Sequence, residues 1–271
     1  ATIAVVDGDE TTEAFDVFSF DITDAGTADG EPTRVNQIVL FYGPNMTLDF
    51  ENDIDSGYLV IDGTPVDLGG EPVFGADSIA FPIADGEIVV PDGGSVNAVV
   101  KLILNTTVAD GKVIQFFIDA DQHGFVAKAT GSGFAADFGT DVVGNDITID
   151  VVATELNFST EPTNVYVDAN IIPAVVVEAI DANGNVDTDY VTDITITATG
   201  ATLVGTPVTV TPVAGIATFD ALSFSDEGAG VTLTTASGTL TNAVSIAFDV
   251  TVEPVKELFF SEYVEGSSNN K

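Results

Sequence analysis

Alternation of apolar and polar side chains with a period of two is the feature that most limits what this chain can become. Phe18, Phe20 and Ile22 lie on one face with Ser19 and Asp21 between them, and Ile147, Ile149 and Val151 alternate with Thr148 and Asp150. Val244, Ile246, Phe248 and Val250 repeat the pattern near the far end. Successive side chains of an extended strand point to opposite faces, so such segments bury one side and wet the other. No window of about a dozen residues carries the spacing of an amphipathic helix. Turn signals at Asp62-Gly63, Asp85-Gly86, Asp92-Gly93, Asp110-Gly111 and Asn183-Gly184 punctuate the apolar runs. The expectation is an all-β chain of tandem antiparallel β-sandwiches.

A chain of 271 residues is long enough for two such domains. Between Glu155 and Val252 the apolar runs are Leu156 to Phe158, Val165 to Val167, Ala174 to Ile180, Ile194 to Ala198, Val208 to Val210, Ile216 to Phe224, Val231 to Thr234 and Val244 to Val250. Seven or eight strands in roughly 100 residues are the number and spacing of an immunoglobulin-like sandwich. With no Cys and no Trp, its core must rest on Val, Ile, Leu and Phe packed between sheets. The earlier part is longer and more interrupted, and reads as a larger sandwich, jelly-roll-like or Ig-like. The expected division is 1–152, 153–253 and 254–271, with a join at Val151 to Thr154 so short that it favours a stiff rod.

Charge then narrows the partners. With 43 Asp plus Glu against 6 Lys plus Arg the formal charge is −37. Nucleic acid and anionic membrane are excluded as partners, since both need clustered basic residues. A hydrophobic fraction of 45% separates the chain from disordered acidic tails. The longest apolar run, Val96 to Leu104, is broken by Asn97 and Lys101 and falls short of the roughly 18 residues a helical span needs, so no membrane insertion is expected. The chain starts at Ala1 with no basic, apolar leader and reads as a mature or excised piece.

Three stretches resemble known modules. ELFFSEYVEGSSNNK, Glu257 to Lys271, resembles the opening strand and turn of bacterial lamin-tail-like domains. PAVVVEAIDANGNVDTDY, Pro173 to Tyr190, with GIATFDALSF, Gly215 to Phe224, resembles bacterial Ig-like repeats of the invasin and adhesin type. VFSFDITDAGTADGEPTRVNQIVL, Val17 to Leu40, is similar to a module beside such repeats in long surface proteins exported by the type IX route. The resemblance implies a secreted or cell-surface location. Relatives with the lamin-tail opening are often extracellular nucleases, but the nuclease motifs are absent from this sequence.

Candidate chemistry is sparse. The single imidazole, His123 in DADQHGF, reads as a solvated loop histidine, because no GxSxG elbow, second His or Cys accompanies it. Carboxylates are abundant, but position rather than number makes an active site, and no enzymatic activity is expected. In DANGNVDTD the oxygen side chains of Asp181, Asn183, Asn185, Asp187 and Asp189 recur at alternate positions, as in hard-cation loops. Gly184 comes too early for an EF-hand and no Glu closes the ring, so a plain hairpin turn with Asn183 and Gly184 at positive φ stands beside the metal reading. Further acidic candidates are Asp24 with Asp29, and Asp119 with Asp121. So many like charges repel one another over the ~8 Å that physiological salt leaves unscreened. At least one Ca²⁺ site in the inter-strand loops is therefore expected, and no other cofactor.

Asp77-Ser78-Ile79 resembles a short bacterial O-glycosylation acceptor centred on Ser78. Leu258, Phe259 and Phe260 would expose an apolar strand edge unless something covers them. They either lie against the preceding sandwich or are donated to a second copy. The functional expectation is a non-enzymatic stalk, spacer or adhesin segment. Its partners would be neighbouring domains of the same parent chain, surface glycans or other cell-surface proteins, or itself. An accessory carbohydrate- or protein-binding module of a large extracellular hydrolase or nuclease, and a self-assembling fibre subunit, stand as alternatives.

Overall fold

The computed structural model describes residues 2–4, 14–25, 30–50 and 52–254, and among them no residue is helical. The chain is all-β. In the first module a four-stranded sheet runs in the order Phe15–Thr23, Ser95–Leu104, Ile54–Ile61, Thr64–Pro65. Facing it is a larger sheet centred on Thr33–Tyr42, with Phe116–Ile118 on one side and Ser78–Pro82 on the other. Thr2–Ala4 runs parallel to Ile147–Asp150, which pairs antiparallel with Val113–Ile114. The second module stacks a three-stranded sheet, Glu155–Thr160, Val175–Ile180 and Ile216–Phe219, against a five-stranded one. The five strands are Val165–Tyr166, Phe248–Thr251, Gly228–Ala236, Ile194–Thr199 and Val208–Val210 in that order.

Period-two patterning builds the facing layers. Phe18, Phe20 and Ile22 point inward as their alternation predicts, and so do Ile147, Ile149 and Val151. Two hydrophobic clusters result, one drawn from Val17 to Ile149 and one from Ala153 to Val250, with no residue in common. The first is rich in aromatic contacts: Phe116 meets Phe18, Tyr42 and Phe50, and Tyr42 stacks on Phe50 at 4.0 Å. Offset and edge-on rings add ~1 kcal/mol per pair beyond area burial. The second cluster is mainly aliphatic around Phe219, Phe224 and Phe248.

Bulges break the simple alternation. Val17 is buried beside Phe18 because the register slips between Asp16 and Phe18 where Phe15–Thr23 meets Ser95–Leu104. Val35 and Ile38, three residues apart, are both buried across a slip at Val126 and Ala127.

The predicted strand from Val244 to Val250 needs correction. Only Phe248–Thr251 is a strand; Phe248 and Val250 are buried, whereas Val244 and Ile246 are exposed. The reason is polar. Ser245 turns inward, its hydroxyl accepts the Leu233 N–H at 2.9 Å, and its own N–H donates to the Leu233 carbonyl. Thr235, also buried, exchanges hydrogen bonds with Ala243 through its hydroxyl. With Ser245 and Thr235 satisfied inside, the alternate residues Val244 and Ile246 are turned outward.

Candidate functional site

Where one sandwich hands the chain to the next, four carboxylates gather. Strand Ile147–Asp150 ends the first module and Glu155–Thr160 begins the second. Between them Val151 and Ala153 are buried and Val152 is exposed. The Val151 N–H donates to Oδ1 of Asp110 at 2.9 Å, and the Ala153 N–H donates to Oδ2 of Asp187 at 2.9 Å. The linker amides are thus held by a carboxylate from each module.

Asp110 belongs to the Asp-Gly turn before Val113–Ile114, where Gly111 takes φ 75°. Its Oδ2 accepts the Thr188 N–H at 2.9 Å and also the Thr188 hydroxyl. Burial works against its charge. The Thr188 hydroxyl and the amides of Val151, Thr188 and Gly111 outweigh that penalty and hold its carboxyl below the usual carboxylate range. A second contact between the modules runs from Asn185 Nδ2 to the Thr106 carbonyl at 2.6 Å.

Asp187 is in the opposite condition. It is 6% exposed, and its Oδ1 is a buried side-chain oxygen with no hydrogen-bond partner. Burial raises its pKa first, and the neighbouring carboxylates of Asp189 and Asp110 add to the shift, against the Ala153 N–H. Asp150 is pushed up as well, by burial and then by Asp189 and Asp110. The backbone of Asp187 is fixed from beneath. Gly215, at φ 74°, lies so close that a Cβ there would sit 2.2 Å from the Asp187 carbonyl oxygen.

The DANGNVDTD loop divides its oxygens between two tasks. Asp181 Oδ1 accepts the N–H groups of Asn183 and Asn185 at 2.9 and 2.8 Å, and its Oδ2 accepts Asn185 Nδ2 at 2.9 Å. Asp181, Asn183 and Asn185 therefore close the turn on itself. Only Gly184 takes positive φ, at 87°, so the expectation of positive φ at Asn183 is corrected; the Asp181 carboxylate supplies the bonds that shape the turn instead. Asp187 and Asp189 are left facing the first module.

The remaining acidic candidates are dispersed. Asp24 is buried and accepts the Thr33 hydroxyl at 2.8 Å. Asp119 Oδ1 accepts the N–H groups of Asp121 and Gln122 at 2.9 and 2.8 Å. Asp29, Leu258, Phe259 and Phe260 lie outside the described residues. Ser78 opens strand Ser78–Pro82, half-buried, with its hydroxyl 3.3 Å from Asp77 Oδ1. Among the described residues no three acidic or imidazole groups stand close enough to cage a metal ion as they are.

His123 is not a solvated loop residue. It is 9% exposed and stacks on Phe138 at 3.9 Å, with Phe125 and Phe134 edge-on. Its Nδ1 accepts the Phe125 N–H at 3.0 Å, which assigns the proton to Nε2, 2.9 Å from the Ala135 carbonyl. Both ring nitrogens are committed to shaping a loop. Beside this cluster runs an open groove of about 280 Å³ lined by Phe20, Phe125, Phe134, Phe138, Asp21 and Thr140.

Asp110 and Asp150 were not singled out from sequence as joint residues. The Asp110-Gly111 turn is visible there, but Thr188 lies 78 positions away, and no local pattern connects them.

No family model matches the chain, and no curated protein does. Among solved structures, a glycosyl hydrolase family 2 member from Bacteroides cellulosilyticus is similar at TM-score 0.31 and 12% identity over 78% of this chain, which spans 28% of that protein. A putative membrane anchored protein from Corynebacterium diphtheriae is similar at TM-score 0.29 and 12% identity, covering 95% of this chain and 54% of its own. The titin domains Z1Z2, solved with telethonin, reach TM-score 0.22 at 9% identity, covering 90% of this chain and 98% of their own. Likenesses this weak decide nothing about activity.

Proposed function

We propose that this chain is a non-catalytic structural segment of a secreted or cell-surface bacterial protein, a spacer whose two β-sandwiches are held in a fixed relation. The observation that carries this reading is the grip of Asp110, a first-module carboxylate that binds the linker at Val151 and the second module at Thr188 together. Two domains joined only by a flexible tether would have no such shared acceptor. The one imidazole is committed to loop structure, which favours a mechanical over a chemical role. The resemblance of Glu257 to Lys271 to a lamin-tail opening and of Val17 to Leu40 to type IX cargo modules favours the exported location. Residual dipolar couplings on the whole chain test the reading. A single alignment tensor for both modules is expected; two independent tensors would end it.

A second reading, an accessory binding module, has the aromatic groove in its favour. Phe138 and Phe134 line one side and Asp21 and Thr140 supply polar atoms, a mixture suited to a sugar ring or an apolar peptide side chain. Glycan-array and peptide-array binding that disappears with Phe138→Ala would establish it.

A further inference from the structure

The loop that closes on the joint places three consecutive side chains on it, each in a different electrostatic situation. Asp187 gives Oδ2 to the linker amide of Ala153 and leaves Oδ1 buried without a donor. Thr188 gives its N–H and hydroxyl to Asp110 of the first module. Asp189, exposed, sets its carboxylate within hydrogen-bonding range of Asp187, acceptor against acceptor. Two ionised carboxylates in that relation repel, and a buried oxygen with no donor loses its hydration without compensation.

Among the described residues no positive charge acts on this pair. The charges acting on Asp187 and Asp150 all come from other carboxylates, those of Asp189 and Asp110. Lys101, Lys112 and Lys128 are engaged elsewhere, with Asp16, Asp53 and Asp85. A water molecule could donate to Asp187 Oδ1, but it would leave the charge uncompensated. Asp110 cannot serve as donor, because both of its oxygens already accept hydrogen bonds.

We propose that the joint is a divalent-cation site, at which Ca²⁺ binds between Asp187 Oδ1 and the carboxylate of Asp189, on the side where Asp110 and Asp150 of the first module approach. Calcium fits better than magnesium. It accepts irregular sets of six to eight oxygens at about 2.3–2.6 Å, whereas magnesium demands near-octahedral order. Two carboxylates two residues apart provide an irregular, incomplete set that water completes. Asp150 and Asp110 contribute field rather than bonds. With only two protein ligands the affinity belongs in the range of extracellular calcium modules, a Kd of about 10⁻⁴–10⁻³ M.

Binding there would act on the joint. The ion holds Asp187 and Asp189 on either side of Thr188, the residue that reaches Asp110, while Asp187 Oδ2 stays on the linker. One cation therefore pins the loop that grips both the linker and the first module. The site is distinct from the turn of Asp181, Asn183 and Asn185, where both Asp181 oxygens already accept hydrogen bonds from within the turn. It also stands on the joint's geometry alone, whether the two sandwiches serve as a spacer or as a binding module.

The test uses the full 271-residue chain stripped with chelator and held at constant ionic strength with NaCl, so that general screening of its charge is matched in every sample. Isothermal titration calorimetry with CaCl₂ and MgCl₂ and thermal melts in both salts give the readouts. We expect one saturable calcium heat and a rise in Tm that exceeds the magnesium effect. Asp189→Asn, at an exposed position and therefore compatible with folding, should weaken calcium binding at least tenfold, and Asp187→Asn likewise. Asp119→Asn, remote from the joint, should bind as the parent does. The proposal fails if calcium gives no more than magnesium, or if Asp189→Asn binds calcium normally. It fails equally if the chelated protein gains stability in mild acid, loses that gain in Asp189→Asn and never responds to calcium, since a proton shared between the two carboxylates would then be the occupant.

Discussion

Asp110 and Thr188, one in each sandwich, are joined twice over, because a single carboxylate oxygen receives both the amide and the hydroxyl of the threonine. The other oxygen of Asp110 holds the Val151 N–H, so a single side chain ties together the last residues of one module, the linker and a loop of the next. Hydrogen bonds to an ionised acceptor are worth roughly 1.5–3 kcal/mol where they are shielded and less near the surface. That is enough to fix an angle between domains without making either depend on the other for folding.

Removing the acceptor should therefore loosen the pair more than it unfolds it. Asp110→Ala is expected to cost on the order of 1–2 kcal/mol and to give each module its own alignment tensor in residual dipolar couplings. Asp110→Asn, which keeps one carbonyl acceptor, should fall between the two. A fully rigid Asp110→Ala protein would show that packing, not this carboxylate, sets the joint.

Acid should release the same contact. The carboxyl of Asp110 is held below its ordinary value in the folded chain. A depressed folded pKa means that its stabilisation is complete above the unfolded value and is lost as pH falls through the folded one. Chelated protein followed by dipolar couplings should keep one tensor through mildly acidic pH and lose it only below the usual carboxylate range. Asp110→Asn should show no such acid transition.

The glycine beneath Asp187 offers a way to disturb the loop without changing a charge. Gly215 sits at φ 74° with its Cβ direction blocked by the Asp187 carbonyl, so Gly215→Ala meets both backbone strain and a clash that no side-chain rotation relieves. The expected result is a loss of about 1–3 kcal/mol in the second module, seen in calorimetry as a lowered transition, with chemical-shift changes at Asp187 and Ala153. An unchanged melt would mean that the loop shifts freely.

Separate cores predict separate responses. Phe116, fully buried among Phe18, Tyr42 and Phe50, should cost about 3–5 kcal/mol as Phe116→Ala, and the loss should appear only in amide exchange of the first module. Phe219→Ala, in the second cluster, should do the reverse. Loss of protection in both modules from either change would contradict the division into two clusters.

His123→Phe would keep a ring against Phe138 but abandon two hydrogen bonds, those with the Phe125 N–H and the Ala135 carbonyl. Leaving both groups unpaired in a buried place should destabilise the first module by about 1–3 kcal/mol. Thermal melts check this, and a neutral outcome would mean that the groove loop tolerates an unfilled polar pair.

Much of the fold could be read before any coordinates. Phe18, Phe20 and Ile22 and the run from Ile147 to Val151 announced strands because the pleat converts neighbouring positions into opposite faces. Asp62-Gly63 announced a tight hairpin, and both residues do take positive φ, 47° and 81°. The same reasoning failed at Val244 and Ile246, where the hydroxyls of Ser245 and Thr235 find partners inside and turn the aliphatic residues outward. It also missed the buried state of His123, whose satisfaction depends on Ala135, twelve residues on, and on three phenylalanines that reach it only in the folded loop.

Read alone, the string of residues settles the pleated class, for that follows from forces acting between near neighbours: a side chain's hydropathy and the backbone freedom of Asp-Gly and Asn-Gly. It does not decide which of 43 carboxylates matters, since an aspartate is defined by the donors and charges that face it, and at the joint those arrive from distant parts of the chain. Asp181 spends its oxygens on its own turn, Asp110 meets Thr188 across 78 positions, and Asp187 is left with one oxygen bare. The turn settles Asp181 locally, whereas only the packing of one sandwich against the other sets Asp110 and Asp187 apart from it.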